Sequence, residues 1–246
     1  MRIILNPKYK HLRSYLTDIE HHFDHEGHEI YRGRDVVRTL QVAGLTLWVK
    51  RYASPGAITR MSWRFFRSPQ AKRAYVRPLQ MRERGIMSPE PVAFVKVSKG
   101  LFNSATYFVA LQSTYRYTMA DLPSLPDDEQ QEVIARFASF SAKVHEQGFL
   151  HRNFSSTNIL FDRVNNRIVF ALIDTTSMSC GRPVSVRKGC SNFARLQGDE
   201  AFFDALGVAY AEARGADAET CVAAIKAARE RYLRRATQSA KTAKQS

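Results

Sequence analysis

Four polar side chains of catalytic type fall in one short stretch of this chain: His151-Arg152-Asn153-Phe154-Ser155-Ser156-Thr157-Asn158-Ile159-Leu160, followed by Ala171-Leu172-Ile173-Asp174. Asn158 offers a neutral oxygen and Asp174 a carboxylate. Such a pair suits Mg²⁺ when phosphate oxygens and water complete an octahedron. Moving a γ-phosphoryl group requires neutralised phosphate charge, a held metal and an acceptor hydroxyl in line. Lys50, late on an alternating segment upstream, has the order and spacing for the first task. ATP and Mg²⁺ are the cofactors this set implies. Position 153, inside this loop, holds Asn. An amide can hydrogen-bond a hydroxyl but cannot take its proton. His151 reads as a brace for the loop rather than as an acid or base.

Each of these residues also has a plainer reading. Asn158 could cap a turn, Asp174 could end a strand, and Lys50 could be a solvated edge in a chain with 37 basic residues. Their common order, with apolar Ile159-Leu160-Phe161 in register behind the loop, favours the chemical reading.

The elements that must position them follow from periodicity. Leu45, Leu47 and Val49 alternate with polar or amphipathic residues through Tyr52, which predicts a strand ending in the Pro55-Gly56 break. A helix is expected over 71–84 with Gly85 as its stop, and a second strand over 105–111. Asp127, Asp128 and Glu129 place acids at a helix start, and Val133, Ile134, Phe137, Phe140 and Val144 recur at helical spacing up to Gly148. A strand pair is expected around 159–162 and 168–174, then helices near 199–214 and 217–235. The expected fold class is α+β and bilobal, with a small strand-rich lobe over 1–111 and a helical lobe over 112–235. A polar, lysine-bearing tail over 236–246 is expected to be disordered.

Bulk properties narrow the partners. With 246 residues and a net charge of +14, the chain has ample core and a surface suited to anions. Cys180, Cys190 and Cys221 show no C-x-x-C spacing, which argues against a disulfide framework or a zinc site. The apolar run at the N-terminus is too short for a signal peptide, and no stretch reaches the length of a membrane span. Any membrane association is therefore expected to be peripheral. A nucleic-acid binder would have only charge behind it, with no sequence module, and is disfavoured.

The loop and its flanks resemble a protein-kinase-like fold, and more specifically the bacterial lipopolysaccharide core kinases that act on Kdo or heptose. The run Val144-His145-Glu146-Gln147-Gly148-Phe149-Leu150-His151 through Phe161 is similar to that family's catalytic segment. Tyr31-Arg32-Gly33-Arg34-Asp35-Val36-Val37 resembles its short phosphate-loop strand, which makes Gly33 a nucleotide-binding candidate beside Lys50. The stretch from Arg84 to Ala93 resembles its proline-bearing turn. Asn192-Phe193-Ala194-Arg195-Leu196 and the run from Tyr210 to Gly215 resemble its C-terminal signature. The resemblance covers roughly residues 25 to 235. It implies an ATP-dependent transfer to a sugar hydroxyl of the lipopolysaccharide inner core. The protein would be cytoplasmic and peripheral to the inner membrane. Arg32, Arg34, Arg60, Arg64, Arg67, Lys72 and Arg73 would meet anionic groups.

Three departures from that pattern stand out. Asn153 replaces the acid of the family's loop. The helix that should offer Glu to Lys50 carries Tyr75 and Val76 there instead, which leaves Lys50 without an evident brace. Thr175-Thr176-Ser177 follows Asp174 where the family tends to carry Asn-Arg. Weakened transfer is the expectation, and a pseudokinase that binds nucleotide or a partner without turnover is the alternative.

Overall fold

The computed structural model describes residues 1–53, 70–99 and 103–243. Pro55, Gly56, Arg60, Arg64 and Arg67 lie outside the described residues. The chain divides into two compact units, 1–114 and 115–246.

The first unit is built on a six-stranded antiparallel sheet. Its strands are β1 (Arg2–Leu5), β2 (His28–Arg32), β3 (Val36–Val42), β4 (Leu45–Tyr52), β5 (Pro91–Lys99) and β6 (Asn103–Leu111), in the spatial order β1-β5-β6-β4-β3-β2. Two short helices, α1 (Arg13–Thr17) and α2 (Ile19–His25), precede β2. Leu16, Ile19 and Phe23 pack with Leu47, Val49, Val95, Tyr107 and Val109 on one face of the sheet. A longer helix, α3 (Gln70–Glu83), contributes Ala74 and Tyr75 to a cluster with Tyr52, Phe94 and Phe108. Alternation along β4 therefore settles the faces. Leu47 and Val49 go to one cluster, while Trp48 and Tyr52, on the parity of Lys50, go to the other. Ala43 and Gly44, both at positive φ, make the two-residue turn that joins β3 to β4.

The expected strand near Tyr31–Val37 is in fact a hairpin. β2 stops at Arg32, Gly33 donates its N–H to the Asp35 carbonyl at 3.1 Å, and β3 starts at Val36. The turn forms because Tyr31 pairs with Val37 and Arg32 with Val36, which leaves 33–35 as the crossing.

The second unit begins with β7 (Tyr117–Thr118) and the helix α4 (Asp127–Glu146). Its acids Asp127, Asp128 and Glu129 sit in the first turn, and Val133, Ile134, Phe137 and Val144 are buried as the periodicity requires. Then come β8 (Phe149–Leu150), β9 (Ile159–Val164), β10 (Arg167–Leu172) and β11 (Ser179–Cys180). Asn165 and Asn166, both at positive φ, close the β9–β10 hairpin. The helices α5 (Val186–Asn192), α6 (Glu200–Arg214) and α7 (Ala218–Ala243) complete the unit. Helix α7 runs past the expected end at 235, to Ala243. Residues 236–243 contain no glycine or proline. A helix already nucleated gains one hydrogen bond for each residue it adds, so it extends into solvent.

A buried polar chain ties the segment after α4 to the later helices. His145, fully buried, meets the Tyr210 hydroxyl at 2.8 Å through Nδ1 and the Asn192 Oδ1 at 3.1 Å through Nε2. Asn192 donates its Nδ2 to the His151 carbonyl at 2.8 Å, so its Oδ1 faces His145 and Nε2 carries the imidazole proton. Arg214 donates to the Tyr210 hydroxyl at 2.7 Å. Burial pushes the His145 pKa down to about 4.

Two expectations follow from this packing. Gly148 ends α4 at φ +78°, and a Cβ there would stand 2.1 Å from the Gly181 carbonyl oxygen. Gly148→Ala should destabilise the second unit by at least about 2 kcal/mol, through left-handed strain plus the clash. Urea unfolding followed by a probe in that unit measures it. The second concerns pH. The unfolded chain takes up a proton at the ordinary histidine value of 6.5, whereas native His145 stays neutral to about 4. Stability should therefore be full above that ordinary value and fall as pH drops, by about 3 kcal/mol between pH 7 and pH 4 from this group alone. Burial lowers the His151 pKa too, adding loss of the same sign. Denaturation midpoints that stay flat across this range would contradict the neutral buried imidazole.

Candidate functional site

The site residues are distributed over the two units. Lys50 and Gly33 belong to the first; His151, Asn153, Asn158 and Asp174 belong to the second.

In the first unit, Lys50 does have a carboxylate partner, contrary to the expectation of an unbraced lysine. Its Nζ lies 3.1 Å from an Asp35 carboxylate oxygen, and both side chains are mostly buried. The cause is strand pairing. Val37 sits opposite Lys50 in the β3–β4 ladder, and the turn two residues earlier brings Asp35 alongside. The other Asp35 oxygen accepts from the Ala53 N–H at 3.1 Å, so the carboxylate is fixed at both ends. Lys50 Nζ also lies 5.0 Å from the centre of the Tyr52 ring, within cation–π range. Tyr75 and Val76, which stand in α3 where an acid was expected, pack into the apolar cluster with Tyr52 and Phe108. Gly33 sits at the hairpin tip, where a Cβ would meet the Tyr31 hydroxyl.

In the second unit, His151 is bonded to two backbone groups of the loop and its flank. Its Nε2 donates to the Ile173 carbonyl at 2.9 Å, and its Nδ1 accepts from the Asn153 N–H at 3.2 Å. A carbonyl only accepts and an N–H only donates, which fixes the tautomer as Nε2–H. The imidazole is fully buried and burial lowers its pKa, so it stays neutral and serves geometry.

Asn158 closes the same loop from the other end. Its Nδ2 donates to the Asn153 carbonyl at 2.9 Å, and its own carbonyl accepts from the Ile173 N–H at 3.1 Å. With Nδ2 so engaged, Oδ1 is the atom that could ligate a cation. Asp174 follows directly, exposed and in left-handed backbone at φ 52°. Its Oδ1 accepts from the Thr176 hydroxyl at 3.1 Å, so the run after Asp174 steadies the carboxylate locally. The expected strand ends at Leu172, and the left-handed residue turns the chain out of β10. Residues 151–158 and 173–174 are thus held as one assembly.

Asn153 faces a residue to which the sequence assigned no role. Arg195 donates Nη1 to Asn153 Oδ1 at 2.7 Å. Asp35 and Arg195 both stood inside segments quoted for their resemblance. What identified neither was a local pattern, since each acts on a partner far along the chain.

The oxygen donors Asn158 and Asp174 suit a hard cation such as Mg²⁺ but are too few to hold one alone. Among the described residues no group of three His, Cys, Asp or Glu side chains is arranged to bind a metal. Phosphate oxygens would have to complete the coordination, as in a nucleotide-bound ion.

No protein-family model matches the chain, and no curated protein matches it in sequence. Among solved structures, the chain is similar to WaaP in complex with acyl carrier protein, with a TM-score of 0.62 and 17% sequence identity. The match covers 94% of this chain and 99% of that one. At this identity the likeness establishes the fold: mixed α/β, with a strand-rich sheet and several helices, and kinase-like.

Proposed function

We propose that the protein is a kinase-like phosphotransferase that uses Mg·ATP and acts on a sugar hydroxyl of the lipopolysaccharide inner core, with a weakened chemical step. The observation that carries this reading is the assembly of 151–158 with 173–174, in which buried His151 and the Asn158 carbonyl both bind Ile173, the residue before Asp174. The fold likeness to WaaP and the sequence resemblance to core kinases support the acceptor class.

ATP with Mg²⁺, when bound, supplies the phosphoryl donor and neutralises its charge. The protein's own parts then divide as follows. Lys50, oriented by Asp35, would contact phosphate oxygens. Asn158 and Asp174 would hold the cation. Asn153 would orient the acceptor. Because its Oδ1 accepts from Arg195, its Nδ2 is what remains to hydrogen-bond an acceptor oxygen. No atom of that amide can take the hydroxyl proton. A positioned base contributes roughly 10² to 10⁴ in rate, and phosphoryl transfer depends mainly on positioning and charge, so slow turnover is compatible with its loss. The same amide favours a second reading, nucleotide binding without turnover.

The chain would work at the anionic inner face of a membrane. Its charge of +14 supports adhesion, and no helix among the described residues is long and apolar enough to cross a bilayer.

Calorimetry of Mg·ATP binding alongside single-turnover transfer to deacylated lipopolysaccharide tests the reading. Asp174→Ala should abolish most of the Mg²⁺ dependence of ATP binding; unchanged affinity would remove Asp174 from the metal site. Asn153→Asp should raise transfer by up to about 10² to 10⁴ with ATP affinity little altered. Binding with no transfer in either form would leave the binding module as the function. For the membrane, adhesion to anionic vesicles should be released by salt, because screening sets in within about 8 Å at physiological ionic strength. Retention on neutral vesicles in high salt would point to apolar anchoring instead.

A further inference from the structure

Beside the loop, within the second unit, lies a groove of about 420 Å³ whose lining includes Arg152, Asn192, Arg195, Arg231, Tyr232 and Arg235. Four guanidiniums and no carboxylate line it. Four other arginines of this unit are matched with acids: Arg116 with Asp162, Arg163 with Glu132, Arg214 with Glu146 and Arg234 with Glu230. None of the four groove arginines has such a partner among the described residues. Arg231 and Arg235 stand one helical turn apart on α7, where like charges repel. Arg195 is held in place by stacking over Tyr232 at 5.3 Å and by its bond to Asn153.

We infer that this groove binds the phosphate groups of an anionic acceptor sugar, and that Asn153 keeps it receptive. Arginine matches phosphate through paired N–H donors, and several converging guanidiniums favour a ligand with more than one negative charge. The volume suits one or two sugar units rather than a polymer. Arg152 adjoins Asn153 in sequence and Arg195 touches it, so a ligand seated here has its hydroxyls next to the loop. An acid at position 153 would form an ion pair with Arg195 and cancel part of the groove's charge. The neutral amide holds Arg195 without neutralising it. Loss of the base and gain of anion affinity are then two effects of one residue. That the anion belongs to an acceptor rests on the phosphotransferase reading; that the groove binds phosphate does not.

The test titrates inorganic pyrophosphate, without nucleotide or metal, into the full chain at low salt. Arg231→Glu/Arg235→Glu should weaken binding by about tenfold or more, since charged hydrogen bonds are lost and repulsion is gained. Asn153→Asp should weaken it by a smaller factor, and Lys8→Ala, a surface lysine of the first unit paired with Glu90, should leave it unchanged. Equal binding by the wild type and the double variant overturns the groove as the site. If the double charge reversal does not fold, Arg231→Gln/Arg235→Gln asks the same question with less perturbation. A second arm compares deacylated, phosphorylated lipopolysaccharide with single-stranded RNA of similar charge. Tighter glycolipid binding that the double variant loses supports the acceptor; tighter RNA binding with that loss overturns it. Retained groove binding with no phosphate transfer would sink the kinase reading and leave the phosphate site standing.

Discussion

A buried imidazole with a single proton sets the geometry on which the second unit's chemistry depends. His151 lies between two backbone groups, donating to Ile173 and accepting from Asn153. Asn158 reaches the same residue 173 from the opposite side. The loop and the segment leading to Asp174 are therefore registered against each other by groups that water cannot compete for. Below them His145, Asn192 and Tyr210 form a second buried tier, joined to the first through the His151 carbonyl. Both histidines are kept neutral by burial, so the scaffold holds through directional hydrogen bonds rather than charge. In such a tier an unpaired donor or acceptor is costly, which makes each partner specific.

Much of this was legible in the residues. Alternation over 45–52 located the strand bearing Lys50, and helical spacing from Val133 to Val144 located α4. Those signals are local, and burial on one face enforces them. The two backbone partners of His151 lie within 22 positions of it, so short spacing brings them together. Asp35 could not be read as the partner of Lys50, because their proximity exists only once β3 pairs with β4. Arg195 and Asn153 meet across 42 positions of sequence, and His145 and Tyr210 across 65. Nor did the sequence reveal that Arg2–Leu5 would pair with β5, since an edge strand of four residues carries little periodicity of its own. The length of α7 was missed for the opposite reason. Polar composition resembles that of a disordered tail, but helix propagation responds to the absence of breakers.

Charge is arranged unevenly between the two units. In the first, the lysine closest to the proposed chemistry is matched by a carboxylate in its own sheet. In the second, Asn153 offers Arg195 an amide oxygen rather than a carboxylate. The first arrangement favours fixed geometry and the second favours an open electrostatic demand. Under the proposed function, a single carboxamide in place of a carboxylate would trade proton chemistry for electrostatic attraction.

The placement of Asp35 also bears on how such a protein can be regulated. In protein kinases the lysine's partner rides on a helix, and moving that helix assembles or breaks the pair. Here the partner rides on the hairpin that is hydrogen-bonded to the lysine's own strand, and α3 offers only apolar side chains to its cluster. Displacing α3 would disturb packing without removing the carboxylate. In a protein wired in this way the ion pair of the lysine with Asp35 is set when the hairpin joins the sheet, and moving α3 alone would leave that pair in place.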